Sequence, residues 1–226
     1  MDNFGTLYIV ATPIGNLEDI TLRAIRILKE VDFILCEDTR VTKRLLEKYG
    51  IQTPTKSYHQ HSRENKTQEI LDFLVQGKNM ALVTDAGTPG ISDPGNKLIE
   101  RIVSIGIKFV PIPGPSALGA MISVAGIDMQ NFFFMGFPPH KKGRETFFKK
   151  VAGENIPVVY YESTHRIAKN LDLLMKIDNT KKIIVGKELT KMFEEIIRGN
   201  IMEILEYFKR YPEKIKGEFV IIAYND

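Results

Sequence analysis

Residues 80–95 read MALVTDAGTPGISDPG. The stretch opens with a short run, Met80–Thr84, that is apolar almost throughout, and breaks into three glycines and two prolines within nine residues. A strand without polar alternation belongs in a sheet covered on both faces, which is the habit of parallel α/β sheets. Flanking segments repeat the theme. Leu7–Ala11, Phe33–Cys36 and Lys108–Ile112 read as further strands. Between them, Leu22–Val31, Thr42–Tyr49 and residues 63–76 carry apolar side chains at helical spacing, and Gly50 and Gly77 close the last two. A fourth helix is expected between Pro94 near its start and Gly106 at its end. Strand–helix alternation of this kind predicts an α/β unit with a mostly parallel sheet.

Pro111, Pro113 and Pro115 then force an extended backbone, the best linker candidate in the chain. Beyond them strands are expected at Phe132–Met135, Val158–Tyr161, Lys182–Val185, Glu194–Arg198 and Glu218–Tyr224, and helices at 117–125, 144–152, 165–176 and 200–210. Two successive strands near 182–198 imply an antiparallel portion, hence a mixed sheet. The reading is two α/β domains, 1–112 and 118–226, joined by a linker at 113–117, with a ligand cleft between them.

The 226 residues are 43% apolar and 26% charged, which excludes collagen-like, disordered and disulfide-scaffold classes. One cysteine, Cys36, allows neither an internal disulfide nor a CxxC site, so the expected compartment is the cytoplasm. The apolar-leaning stretch 117–127 is too short to span a membrane, and the first ten residues lack the basic region of a signal peptide, so no membrane partner is expected. Net charge is +3, all of it in residues 114–226, and residues 140–191 hold 12 basic against 6 acidic side chains. That excess suits a polyanionic partner, although a solvated helix face would have the same composition.

Loops after strands carry the candidate chemistry. Ala11–Asp19 (ATPIGNLED) leaves the first strand where α/β sheets bind ligands, but no G-x-G-x-x-G is present, so a dinucleotide site is not expected. In DAGTPGISDPG the glycines permit close backbone approach to a ligand, the prolines hold the loop's shape, and Asp85 and Asp93 supply acceptors. Ser116, in PIPGPSA, suits a helix N-cap or a cofactor contact equally. Polar clusters follow at Glu37-Asp38-Thr39-Arg40, His59-Gln60-His61, residues 161–166 (YESTHR) and residues 187–191 (KELTK). His59 and His61 have no evident third ligand, so no metal is expected, and no Ser-His-Asp or Cys-His arrangement stands out.

Taken together, LYIVATPIGNLEDIT (7–21), CEDTR (36–40), ALVTDAGTPGISDPG (81–95), PIPGPSAL (111–118), GFPP (136–139), VYYESTHRI (159–167), KELTK (187–191) and KGEFVI (216–221) resemble the small-subunit rRNA methyltransferase branch of the tetrapyrrole methylase superfamily. The likeness runs over nearly the whole chain. It implies two α/β domains with S-adenosylmethionine in the cleft, a homodimer, and methylation of a cytidine ribose 2′-hydroxyl in the decoding region of 16S rRNA. It implies cofactor contacts at Pro13, Asp85, Gly87, Ile91, Ser116 and Ala117. Many relatives carry a further C-terminal segment, whereas this sequence ends just after GEFVIIAY.

Methyl transfer needs in-line alignment and relief of the 2′-hydroxyl proton, but neither a metal nor a thiol. Glu162, Lys187, Glu188 and Lys191 are the catalytic candidates, with Asp38 behind them. Arg40, His165 and Arg166 suit phosphate or base contacts, or alternatively an ion-pair network with Glu162–Arg166 as a pair at helical spacing. The small net charge favours a structured ribonucleoprotein over bare RNA. Two other functions fit the same pattern: methylation of a tetrapyrrole or other small acidic substrate, and RNA binding without catalysis.

Overall fold

The computed structural model describes residues 4–59, 64–92 and 95–225. The chain divides into two compact units, Met1–Ser116 and Ala117–Asp226.

The first unit is built on β1 (Leu7–Val10), β2 (Phe33–Cys36), β3 (Thr55–Ser57), β4 (Met80–Leu82) and β5 (Phe109–Ile112). Their order is β3-β2-β4-β1-β5, and every pairing is parallel. Four helices cover it: α1 (Leu22–Glu30), α2 (Thr39–Lys48), α3 (Glu64–Val75) and α4 (Asn96–Ser104). Period-two alternation sends Ile34, Cys36 and Ala81 to one face against Leu28 of α1 and Leu45 of α2. Leu35, Met80 and Leu82 go to the other, against Leu74 of α3 and Ile102 of α4. Each of these side chains is nearly or wholly buried, contributing about 1.5–3 kcal/mol where the residue is large. Thr21 caps α1 by accepting from Ala24 N at 3.1 Å.

One detail follows the expected strand Lys108–Ile112 and one departs from the sequence reading. Pro111 lies inside β5 opposite Ile9, in an edge strand, where a missing N–H costs no ladder bond on the open side. And α2 begins at Thr39 rather than Thr42, because the Asp38 carboxylate caps it through Arg40 N at 2.8 Å.

The second unit opens with α5 (Ala117–Ser123) and contains β6 (Phe133–Phe134), α6 (Arg144–Gly153), β7 (Val158–Ser163), α7 (Ile167–Ile177), β8 (Lys182–Lys187), β9 (Glu195–Asn200), α8 (Ile201–Arg210) and β10 (Glu218–Tyr224). The sheet order is β6-β7-β10-β8-β9; only β6–β7 is parallel, so the sheet is mixed. Phe148, Leu171, Leu174, Ile204 and Phe208 of α6, α7 and α8 pack with Tyr160, Val185 and Ile221 in one core. Gly186 makes room for α5, since a Cβ there would come within 2.5 Å of Met121 Sδ. An Asn200–Glu203 capping box starts α8. The architecture is two α/β units, the first sheet parallel and the second mixed, as expected from the sequence.

Candidate functional site

In the first unit, three loops leave the carboxyl ends of the adjacent strands β4, β1 and β5 and are laced together. Thr12 and Gly87 exchange backbone hydrogen bonds, 2.9 Å from Thr12 N to Gly87 O and 3.0 Å in return. Thr12 Oγ1 donates to Thr84 O at 3.1 Å, and Thr88 Oγ1 to Pro115 O at 3.0 Å. Gly87 sits at φ +81°, a left-handed conformation that L side chains rarely adopt. Pro13 is buried beside this bridge, Ile91 and Ser116 are half-buried, and Asp85 is exposed. Asp93 and Pro94 lie outside the described residues. The result is a cradle of pinned backbone with an exposed carboxylate, suited to a ligand bound through peptide groups and hydroxyls.

Asp85 Oδ1 also accepts from Asp38 N at 3.0 Å, which ties the end of β2 to the same cradle. Asp38 itself is committed: it caps α2 and holds the Arg40 guanidinium through Nε at 3.0 Å and Nη2 at 2.6 Å. Those hydrogen bonds hold its carboxyl at about 2. Asp38 is therefore a cap and an ion-pair partner, poorly suited to accept a proton. Partial burial and the nearby Asp85 push Glu37 up. Arg40 presents a side chain that is largely in solvent.

The second unit gathers the YESTHR, KELTK and KGEF segments at one end of its sheet. Because β10 runs antiparallel between β7 and β8, Phe219 faces Glu162 on one side and Lys187 on the other. Glu162 is buried, and its carboxylate accepts from Ser163 N at 2.7 Å, from Asn170 Nδ2 and from Ser163 Oγ, with Arg166 Nε at 3.5 Å. Arg166 donates further to Ser163 Oγ at 2.9 Å and to Pro138 O at 3.0 Å, which fastens the GFPP loop to β7. Glu162 and Arg166 do pair, though not on a helix face: Glu162 is the penultimate residue of β7 and Arg166 is the N-cap of α7, so the turn between them brings them together. His165 is exposed on that turn.

Lys187 ends β8 with 6% of its surface exposed. Among the described residues its Nζ has one hydrogen bond, 3.5 Å to Phe193 O. Glu188 follows at φ +49° and Thr190 at φ +66°. Glu188 Oε1 accepts from Lys191 Nζ at 2.8 Å and from Glu218 N at 2.9 Å, while Lys191 also reaches Glu218 Oε2 at 2.9 Å. Partial burial alone raises the Glu188 carboxyl, but the bonds from Lys191 and the Glu218 amide outweigh it and leave Glu188 below its ordinary value. Lys191 is pushed up in spite of its burial by the two carboxylates it bridges.

Pro13, Asp85, Gly87, Ile91 and Ser116 thus fall together in the first unit, and Glu162, Lys187, Glu188, Lys191 and Arg166 in the second, where Ala117 opens α5. His61 lies outside the described residues. Three residues of this site have no role in the sequence reading: Asn170, Gly217 and Glu218. Gly217, at φ +88° directly before β10, is signalled only by its place in KGEF; Asn170 looks like any polar residue of α7. Among the described residues no helix is long and apolar enough to cross a membrane.

The model of the tetrapyrrole (corrin/porphyrin) methylases matches residues 6–205. A ribosomal RNA small subunit methyltransferase I from Halalkalibacterium halodurans is 43% identical over 223 residues, 98% of this chain and 76% of that protein. Its namesake from Thermotoga maritima is 41% identical over 218 residues, 96% of this chain and 97% of that protein. Among solved structures, a cobalt precorrin-4 methyltransferase of cobalamin biosynthesis superposes with a TM-score of 0.74 at 17% identity, over 97% of this chain and 94% of that one. A uroporphyrin-III C-methyltransferase from Thermus thermophilus gives 0.66 at 16%, over 96% and 94%; at such identities these two speak for the fold alone. With a family model spanning most of its length and relatives above 40% identity over at least 96% of it, the chain belongs to the tetrapyrrole methylase family, beside the small-subunit rRNA methyltransferases I.

Proposed function

We propose that this protein transfers a methyl group from S-adenosylmethionine to the ribose 2′-hydroxyl of a cytidine in the decoding region of 16S rRNA. The observation that carries the reading is the laced cradle at the ends of β1, β4 and β5, found in a chain 41–43% identical to named small-subunit rRNA methyltransferases. Pro13, Asp85, Gly87, Ile91, Ser116 and Ala117 are the residues assigned to the cofactor. They fit it chemically: backbone groups pinned in place and one solvated carboxylate match a ligand of hydroxyls, ring nitrogens and an ammonium group. When bound, the cofactor supplies a methyl carbon on a sulfonium, an electrophile that needs no metal.

The reading divides the second unit's polar residues by what they have to spare. Glu162 is engaged by Ser163, Asn170 and Arg166, and Glu188 and Lys191 by each other and by Glu218, so their part is positioning. Lys187 has ammonium protons beyond its one long bond; donating one to the 2′-oxygen would hold that oxygen in line for attack and stabilise its developing negative charge, while the hydroxyl's own proton leaves to water as the methyl group is transferred. His165 and Arg40, both exposed, are the proposed RNA contacts, while Arg166 acts through the GFPP loop it fastens. The substrate is the assembled small subunit in the cytoplasm, and the working form a homodimer.

The test is methyl transfer from labelled S-adenosylmethionine to small subunits lacking the modification, then nuclease digestion and mass spectrometry. The expected product is 2′-O-methylcytidine. Turnover of a porphyrin precursor in its place would assign a small-molecule methyltransferase, and loss of cofactor binding a non-catalytic RNA binder.

A further inference from the structure

The β8–β9 hairpin pairs Lys187 with Glu195, leaving seven residues, 188–194, to connect them. Hairpin loops commonly need two to five. The extra length is not slack. Thr190 N donates to Glu194 Oε2 at 2.6 Å, Lys191 N to Glu188 O at 3.0 Å and Glu194 N to Lys191 O at 3.1 Å, and the Lys191 ammonium bridges Glu188 and Glu218. Two non-glycine residues, Glu188 and Thr190, are held at positive φ.

This loop inverts the usual distribution of polarity. Its charged side chains brace the turn, Glu188 and Lys191 against each other and Glu194 against the Thr190 amide, while Met192 and Phe193 stand 91% and 71% exposed at its tip. A single exposed apolar residue is ordinary; an adjacent pair displayed on a braced, strained turn is a contact surface. One ring and one thioether are far too little for a protein interface of about 800 Å² per partner. They match the face of one unstacked base, which RNA-binding proteins typically receive on an exposed aromatic ring. The tip also adjoins the ammonium assigned to the ribose, since Lys187 Nζ is 3.5 Å from Phe193 O.

We infer that Phe193, flanked by Met192, is a stacking platform for an unpaired base of the RNA substrate, at or next to the methylated nucleotide. The inference rests on the proposed function and names a specificity element within it.

The chain contains no tryptophan, so Phe193→Trp introduces a unique fluorophore at the tip of the loop in the intact chain. With S-adenosylmethionine present, a twelve-nucleotide single-stranded RNA of the decoding-region sequence, titrated to high concentration because bare RNA binds more weakly than the assembled subunit, is expected to quench that emission, and an abasic strand of the same length at the same concentration to leave it unchanged. In methyl transfer to small subunits, Phe193→Ala is expected to raise KM roughly tenfold or more with a smaller change in kcat. Phe193→Tyr should keep the wild-type KM and Phe193→Leu should not, because leucine offers apolar area without a π face. Equal quenching by the abasic strand, or a wild-type KM for Phe193→Leu, overturns the inference. So does conversion of a dimer to a monomer by Phe193→Ala in light scattering, which would assign the tip to a second copy of the chain. If the wild-type protein transfers no methyl group to subunits, the proposed function fails, and base-dependent quenching still decides whether the tip stacks.

Discussion

The Glu188 side chain fills the space in which residue 217 would carry a Cβ: that atom would lie 2.2 Å from Glu188 Cδ and 2.2 Å from Oε1. Residues 29 positions apart in sequence are thus interlocked, one side chain existing where the other has none. The contact joins the KELTK turn to the start of β10, the same junction at which Lys191 bridges Glu188 and Glu218.

Gly217→Ala should therefore destabilise the protein by about 2–4 kcal/mol, from overpacking together with the left-handed backbone at φ +88°. Urea unfolding measures it. In a double-mutant cycle, Gly217→Ala should cost less in the Glu188→Ala background than in the wild type, by the overpacking part, and keep the backbone part. An equal cost of Gly217→Ala in both backgrounds would mean that the two residues do not compete for space.

Gly87 presents the opposite balance. A Cβ there would meet Ile14 Cγ2 at 3.4 Å, an ordinary contact, so space is not the obstacle. The obstacle is φ +81°, at a cost of roughly 1–2 kcal/mol for an L side chain. Gly87→Ala should fold but shift the Thr12–Gly87 bridge, and isothermal titration should find S-adenosylmethionine binding weakened about tenfold. Unchanged affinity would place the cofactor away from this bridge.

How far such features were legible varies with their physics. Strands β1, β2 and β4 are readable because burial on both faces leaves no polar alternation, and their order in the chain then dictates parallel pairing. β3, by contrast, is Thr55-Lys56-Ser57, a half-buried edge strand of three polar residues after Pro54; neither period nor hydrophobicity marks it, and only the open edge of β2 recruits it. In the site, the segments that matter are visible as polar clusters at strand ends. Their division of labour is not, since it depends on register: nothing in the sequence says that Glu162 and Lys187 flank Phe219, or that Asp38 is consumed by a helix cap and Arg40.

Arg166 tests that division. Its guanidinium serves Glu162, Ser163 and Pro138 O with a side chain 15% exposed. Arg166→Ala leaves the buried Glu162 carboxylate with fewer partners and should cost about 2–3 kcal/mol of stability. Arg166→Lys should recover little, because an ammonium lacks the fork that reaches three acceptors in different directions. A merely RNA-binding arginine would lose affinity for subunits without a change in thermal unfolding, and that result would return Arg166 to the RNA-facing surface.

Glu188 and Lys191 make the stability of the KELTK turn depend on pH at both ends. The Glu188 carboxyl is held below its ordinary value of 4.5, so its contribution is complete above that value and is lost as pH falls through the lower folded value. Lys191 is raised above 10.5, so its contribution is complete below that value and is lost as pH rises through the higher folded one. Glu188→Gln keeps the shape and an acceptor for the Glu218 amide but removes the charge from both interactions. The stability difference between wild type and Glu188→Gln should thus be flat, at about 1 kcal/mol, between roughly pH 5.5 and 9.5. It should shrink on the acid side as Glu188 is protonated and on the alkaline side as Lys191 loses its proton. Urea unfolding at fixed pH values measures the difference directly. A gap that persists undiminished to pH 3 would mean that the charge does not hold the turn, and would leave the backbone bonds of residues 188–194 to brace Phe193 by themselves.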